Sequence, residues 1–321
     1  MTMFRSFQKF RLISNTPNVA QFTECLSTQK TASDLEKRRE ELMKRGLPKK
    51  KAIDGVKNII LVCSGKGGVG KSTVSVNLAT ALKLTNPNKE VGLLDTDCFG
   101  PSIPIMMNLS SKPYVTEEKK LTPLMNYGIK CMSIGFLVEK DAPIIWRGLK
   151  VMQGLETLTK HVSWGNIDYL VVDTPPGTGD TLLSLVQNLP ITGVLLVTTP
   201  QSAALEVTKR GAGIFKIMNI PVIGLIENMA YINCPSCSTK IDIYGSGTTQ
   251  LAKDLECDLL GSFPLDPCIS ESTDKGTPIA VENISSDLSK VYQAIAKKVM
   301  HFIDKNPIVA TSTKDGEEDN K

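Results

Sequence analysis

The sequence predicts an α/β protein with a doubly wound, mostly parallel sheet and helices on both faces. Short apolar, β-branched runs alternate with longer amphipathic stretches between residues 58 and 304. The first run leads into a glycine-rich loop and a helical stretch, and two later runs end in aspartates. This alternation favours parallel strands joined by crossover helices.

The expected elements follow one another along the chain. Apolar runs predict buried strands at residues 58–63, 90–97, 168–173, 193–199, 221–228 and 259–265. Amphipathic stretches predict helices near residues 71–84, 202–218, 247–256 and 284–304. The longest apolar run, residues 59–63, is far shorter than the roughly 20 residues of a membrane-spanning helix. We therefore expect no transmembrane segment.

Charge is distributed unevenly along the chain. The formal net charge of +4 is made up of +7 in residues 1–57 and −3 in the remainder. Because the larger part is mildly acidic, the composition argues against a nucleic-acid partner there.

The N-terminal region differs from the rest of the chain. Residues 1–33 carry four basic residues and one acid, and Phe4, Phe7 and Phe10 recur every third position. This composition is typical of a mitochondrial transit peptide, which predicts a location in the matrix; a disordered tail is the alternative. We expect residues 34–57 to be a charged linker, residues 58–304 the α/β domain, and residues 305–321 a polar, disordered tail.

A phosphate-binding motif follows the first strand. The pattern G-x-x-x-x-G-K-[ST] is complete, and Thr73 follows it in the predicted helix. Its residues are Gly65, Lys66, Gly67, Gly68, Val69, Gly70, Lys71 and Ser72. The glycines let backbone N–H groups approach phosphates. Lys71 is predicted to reach the β- and γ-phosphates and the Ser72 hydroxyl to ligate Mg²⁺.

Three aspartates end predicted strands at the edge where α/β sheets bind ligands. We expect Asp97 to orient the attacking water and Asp95 to lie near Mg²⁺. Asp173 follows a second buried run and is the predicted Mg²⁺ ligand of a Walker B strand. The chain lacks the guanine-reading sequence N-K-x-D, and Asn228 is a candidate adenine contact. ATP is therefore favoured over GTP.

The chain has eight cysteines, of which one pair has ligand spacing. Cys234 and Cys237 form a C-x-x-C pattern in a polar segment, which indicates an iron–sulfur or zinc site, a redox pair or plain loop thiols. Cys63 and Cys131 lie in apolar runs and are expected in the core. One chain supplies half of a four-ligand site, so a two-fold dimer would complete it.

The loop K-G-G-V-G-K-S-T resembles the deviant Walker A loop of the MinD/ParA class of ATPases. This resemblance implies a nucleotide-sandwich dimer in which Lys66 reaches the phosphates bound by the partner subunit. A solvated loop lysine is the alternative for Lys66.

A wider resemblance, to the Mrp-type iron–sulfur carriers of this class and their mitochondrial branch, covers residues 45–302. The segments that carry it are residues 45–48, 64–73, 95–102, 146–148, 173–180, 200–201 and 227–229, with Cys234 and Cys237. It implies a homodimer and a [4Fe–4S] cluster that bridges two subunits through two cysteines per chain. It also implies weak ATP hydrolysis and delivery to client apoproteins, among them subunits of respiratory complex I. Ser202, where the family pattern has Asp, and residues 245–248, where it has an acid, depart from the family.

Two other functions share the nucleotide-binding motif. A MinD/ParA-type positioning ATPase needs a basic amphipathic helix or a cationic surface, whereas this chain ends in an acidic tail. A reductase resembling the nitrogenase iron protein needs two cluster cysteines farther apart in each chain. The sequence favours the cluster carrier, in which residues 58–304 form a P-loop ATPase domain with a cluster-binding loop.

Overall fold

The structure, a computed structural model, describes residues 50–137 and 148–307. Nine strands in these residues form one sheet in the order β3-β4-β2-β5-β1-β6-β7-β8, with β9 paired to β7. The strands are β1 (Val56–Ser64), β2 (Val91–Asp95), β3 (Leu124–Asn126), β4 (Ile129–Ser133), β5 (Ile167–Asp173), β6 (Gly193–Thr198), β7 (Val222–Asn233), β8 (Lys240–Asp242) and β9 (Leu259–Pro264).

Helices connect and cover the strands. They are α1 (Lys71–Thr85), α2 (Ile103–Met106), α3 (Gly148–Lys160), α4 (Asp180–Asn188), α5 (Ser202–Ile217), α6 (Gly247–Asp254), α7 (Pro267–Asp274), α8 (Ile279–Glu282) and α9 (Asp287–Lys305). Within the described residues, none of these helices is both long and apolar enough to cross a membrane. The predicted doubly wound α/β fold is confirmed, and α1, α5, α6 and α9 lie where the sequence predicted helices.

The sheet reverses its winding direction at β1. This strand pairs in parallel with β5 on one side and β6 on the other, and only the β3–β4 and β7–β8 pairs described here are antiparallel. Because β-α-β crossovers are right-handed, crossovers that run in opposite directions along the sheet place their helices on opposite faces. Accordingly α1 packs against α8 and α9, whereas α3 packs against α4 and α5 against α6. The reversal places a cleft at the carboxyl end of β1.

The central strands form the core. All of β2, β5 and β6 is buried, and β1 is buried from Ile59 to Ser64. Continuous burial explains why these strands appear in the sequence as unbroken apolar runs. The β3–β4 hairpin and β8 were not predicted, because β3 and β8 have three residues each and no strong pattern.

The folded unit begins before the predicted boundary at residue 58. Ile53 is buried, the Lys51 N–H donates to the Asn188 carbonyl, and the Ile167 N–H donates to the Gly55 carbonyl. Val56 already belongs to β1. The predicted transit peptide, most of the predicted linker, and residues 308–321 of the predicted tail lie outside the described residues.

Candidate nucleotide and cluster sites

The glycine-rich loop joins β1 to α1 at the winding reversal. It surrounds a cavity of about 220 Å³. The cavity is lined by Ser64, Lys66, Gly67, Gly68, Val69, Gly70, Lys71, Ser72, Thr73, Asp97, Ser102, Met106 and Pro176. Gly65 lies behind the loop, where a Cβ would overlap the backbone of Thr208 in α5. All residues of the predicted phosphate-binding motif except Gly65 therefore line the cavity.

Lys71 and Asp173 meet in a buried ion pair. The Lys71 Nζ lies 2.7 Å from Asp173 Oδ1, and both side chains are almost fully buried. The Ser72 hydroxyl donates to Asp173 Oδ2 at 2.6 Å, and the Ser75 hydroxyl donates to Oδ1 at 2.8 Å. Parallel pairing of Val62 with Asp173 brings this carboxylate beside the loop. Every oxygen of Asp173 thus has a donor, which a buried carboxylate requires.

The Ser72 hydroxyl and the Asp173 carboxylate fit a magnesium ion. Mg²⁺ prefers hard oxygen ligands and is bound in nucleotide sites by a few protein oxygens together with phosphates and water. The short contact between Ser72 Oγ and Asp173 Oδ2 already places two such oxygens together beside the cavity. The oxygen atoms of Ser72 and Asp173 are therefore ligands of the kind that Mg²⁺ prefers.

Asp95 and Asp97 have different surroundings. Asp97 lines the cavity, and its Oδ1 accepts the N–H groups of Phe99 and Gly100 at 3.2 and 3.3 Å. Asp95 is fully buried and accepts the Asp97 N–H at 3.0 Å and the Ser133 hydroxyl at 2.9 Å. Burial, with the nearby charge of Asp173, raises the pKa of Asp95 to about 7. In this arrangement Asp95 anchors the turn that presents Asp97 to the cavity.

Two further predicted residues contact neighbouring strands or loops. The Lys66 Nζ donates to Gln201 Oε1 at 2.6 Å, just before Ser202 opens α5. The Asn228 Nδ2 donates to the Val69 carbonyl at 2.8 Å, and it occupies the space beside Gly70. Asn228 therefore supports the phosphate loop from β7, while its predicted contact with adenine stays a prediction.

Cys234 and Cys237 lie in the tight turn that joins β7 to β8. The Cys234 N–H donates to the Thr239 carbonyl at 2.9 Å, and the Ser238 N–H donates to the Cys234 carbonyl at 2.8 Å. Cys237 is exposed and its Sγ lies 3.1 Å from Thr239 Oγ1. Hydrogen bonds from the side chain and backbone of Thr239, and then from Cys234, lower the pKa of the Cys237 thiol. A lowered thiol pKa favours the thiolate that binds metal.

The other cysteines have different environments. Cys63 and Cys131 are buried in strands, as predicted, and burial raises the pKa of both thiols. No group of three or more His, Cys, Asp or Glu residues capable of holding a metal ion occurs within residues 50–137 and 148–307. The turn therefore offers two soft sulfur ligands, which suit an iron–sulfur cluster and make half of its usual ligand set.

Comparison with known proteins agrees with this geometry. The family described as "ParA: NUBPL iron-transfer P-loop NTPase" matches residues 55–300. The chain belongs to this family. Its NUBPL-type relatives include the mouse "Iron-sulfur cluster transfer protein NUBPL", which is 50% identical over 274 residues and is matched across 85% of this chain and 86% of the mouse protein.

Two other relatives extend the comparison. The Arabidopsis thaliana "Iron-sulfur protein required for NADH dehydrogenase, mitochondrial" is 48% identical over 77% of this chain and 79% of its own. Among solved structures, the nucleotide-binding protein from Archaeoglobus fulgidus in complex with ADP has a TM-score of 0.63 and 33% identity, over 79% of this chain and 96% of its own. The P-loop NTPase fold is thus shared across the family.

Three contacts of the site were missed by the sequence analysis. Ser75 donates to Asp173, Ser133 donates to Asp95, and Gln201 accepts from Lys66. Ser75 could have been found, because it lies one helical turn after Lys71 and therefore on the same face of α1. Ser133 and Gln201 lie far away in sequence, and only the strand order brings them close.

Gly70→Ala tests the contact between β7 and the phosphate loop. Gly68 and Gly70 both have positive φ, at 77° and 81°, but only Gly70 faces the Asn228 amide. Urea unfolding without nucleotide should show a loss of about 1 kcal/mol for the control Gly68→Ala and of about 3 kcal/mol for Gly70→Ala. Adding Asn228→Ala to Gly70→Ala should recover part of the loss. Equal losses at both glycines would contradict this contact.

Proposed function

We propose that the protein is an ATP-binding carrier that assembles a [4Fe–4S] cluster and delivers it to iron–sulfur apoproteins. The observation that carries this proposal is the C-x-x-C pair. It follows the strand that also supports the phosphate loop, and it has one exposed thiol. The names of the mouse and Arabidopsis relatives support it. They favour a carrier over a positioning ATPase.

The ligand count supports a homodimer. A [4Fe–4S] cluster is held by four thiolates, whereas Cys234 and Cys237 provide two per chain. A two-fold axis beside the turn would supply the same two thiolates again. The cluster would then bridge two subunits and remain near the surface, which suits its transfer to a client.

The nucleotide site supports ATP binding with Mg²⁺. In the proposed mechanism Lys71 leaves Asp173 and binds the β- and γ-phosphates. Ser72 and Asp173 would hold Mg²⁺, which would neutralise phosphate charge. Asp97 orients the attacking water from its place in the cavity wall. By resemblance to the MinD/ParA class, Lys66 reaches the partner's phosphates, which requires it to leave Gln201. Asn228 contacts adenine through side-chain atoms other than the Nδ2, which donates to the Val69 carbonyl. Hydrolysis is expected to be slow.

A mitochondrial role follows from the N-terminal composition and from the Arabidopsis relative, whose name states a mitochondrial protein required for NADH dehydrogenase. The clients would include subunits of respiratory complex I. Residues 1–33 would act as the transit peptide and direct the protein to the matrix.

The two loop lysines should have separable roles. Lys71→Ala should lower ATP affinity at least about 100-fold, because a buried charge that faces the phosphates is lost. Lys66→Ala should leave ATP binding by the monomer within about twofold while weakening ATP-dependent dimers. Isothermal titration and sedimentation measure the two effects, and circular dichroism checks the fold. Equal losses of ATP affinity in both variants would argue against the assigned roles.

The cysteine pair should be required for the cluster. Cys234→Ala or Cys237→Ala, purified anaerobically, should lose the visible absorption of the cluster and keep ATP affinity. The matched control is Cys268→Ala, which changes another exposed cysteine, at the start of α7. Wild type and control should hold about four irons per dimer. A full cluster on the Cys234→Ala/Cys237→Ala double variant would refute the ligand assignment.

The N-terminal segment should be sufficient for targeting. A fluorescent reporter fused to residues 1–40 should enter mitochondria, because their basic, acid-poor composition is that of an import signal. As a control, Arg5, Lys9 and Arg11 are replaced by Glu, which removes the basic face. A cytosolic location of the unaltered fusion would exclude the transit peptide.

A further inference from the structure

The hairpin formed by β7 and β8 has two chemically different faces. Its antiparallel register pairs Tyr231 with Asp242, Ile232 with Ile241 and Asn233 with Lys240. Side chains directly opposite each other lie on the same face, and successive side chains alternate between faces. Ile232 and Ile241 therefore share one face, and their neighbours share the other.

The second face of the hairpin is polar and internally paired. The Lys240 Nζ lies 4.4 Å from the centroid of the Tyr231 ring and 3.5 Å from Asp242 Oδ1. These contacts place Tyr231, Lys240 and Asp242 together, as the register requires. Because its charged and aromatic side chains contact one another, this face can remain exposed to water.

The thiols belong to the isoleucine face. The Cys234 N–H bond to the Thr239 carbonyl continues the register by one pair, so Cys234 and Thr239 follow the alternation onto the side of Ile232 and Ile241. The Cys237 Sγ lies 3.1 Å from Thr239 Oγ1 and thus close to this face. The two proposed cluster ligands and two aliphatic side chains share one surface.

This surface is exposed in the single chain. Ile232 is 38% exposed and Ile241 is 53% exposed, although each is a branched aliphatic residue in a strand. Scattered exposed aliphatic residues are ordinary, but here the pair adjoins thiols that form half of a ligand set. A cluster bound at these thiols has to be covered by something that brings the missing ligands.

We propose that the isoleucine face of the hairpin, Ile232 and Ile241 beside Cys234 and Cys237, packs against the same face of a second copy of this chain. The inference rests on the proposed function, because the bridging cluster requires a second pair of thiolates. A two-fold axis apposes identical surfaces, so the copy that brings those thiolates also brings its own isoleucines. The four aliphatic side chains exclude water from the sulfur ligands.

The chemistry of this face fixes how the dimer should behave. Burial of aliphatic side chains is non-directional and only weakly affected by moderate salt, whereas contacts between a lysine and phosphates weaken as salt rises. The cluster-dependent dimer should therefore resist 0.5 M NaCl, and a nucleotide-dependent contact through Lys66 should not.

The test uses Ile241→Glu in the full chain, loaded anaerobically with iron and sulfide. Sedimentation should show dimerisation weakened about tenfold or more, because each two-fold dimer loses two buried side chains and gains two charges. The matched control is Ile217→Glu, which changes an isoleucine that is 63% exposed at the end of α5, away from the carboxyl edge of the sheet. Its dimerisation should stay within about twofold of wild type.

A second variant separates surface chemistry from folding. Ile241→Leu keeps an aliphatic side chain and should dimerise like wild type. All three variants should bind ATP alike, because neither Ile241 nor Ile217 lines the nucleotide cavity. Wild-type dimerisation by Ile241→Glu would overturn the inference and leave the proposed cluster intact. The inference would also be overturned if Ile241→Glu dimerised normally and failed only in transfer of the cluster to a client. A wild-type chain that holds no cluster would overturn both proposals.

Discussion

The buried ion pair between Lys71 and Asp173 is the contact on which the nucleotide site depends. It joins the first residue of α1 to the last residue of β5, and β5 pairs directly with β1, the strand that leads into the phosphate loop. Removing one partner of such a pair costs about 3–5 kcal/mol, because the other charge stays buried. The pair thereby fixes the start of α1 against the end of β5, beside the cavity that the loop surrounds.

Parts of the site that depend on local sequence were predictable. The predicted strand, the loop motif and the predicted helix lie within 27 residues of the chain, from residue 58 to residue 84, so the pattern contains its own structural context. Asp173 was predictable from its place at the end of a buried run. The hydrogen bonds of Asp95 and Asn228 were not predictable, because their partners lie elsewhere in the chain. Ser133 faces Asp95 across the β2–β4 pair, and Val69 lies beside β7 only when the sheet is assembled.

The start of the folded domain and the two faces of the hairpin could not be predicted either, because both depend on packing and register. The apolar residues among 52–57, Ala52, Ile53 and Val56, establish neither a helical nor a strand period, so the burial of Ile53 is decided by packing and not by any pattern. In the hairpin, Ile232 and Ile241 are separated by a turn whose length determines which side chains oppose each other. A change of one residue in register moves a side chain to the opposite face, and a sequence without alternation does not specify that register.

Strand β7 serves both sites, which restricts how its length can change. Asn228 supports the phosphate loop, and Cys234 follows the end of the strand six positions later. An insertion or deletion of one residue between them would turn the thiol to the other side of the ribbon while the loop contact stayed in place. Length variation in homologous chains is therefore expected in the turn beyond Cys237 or after β8, and the interval from Asn228 to Cys234 is expected to be constant.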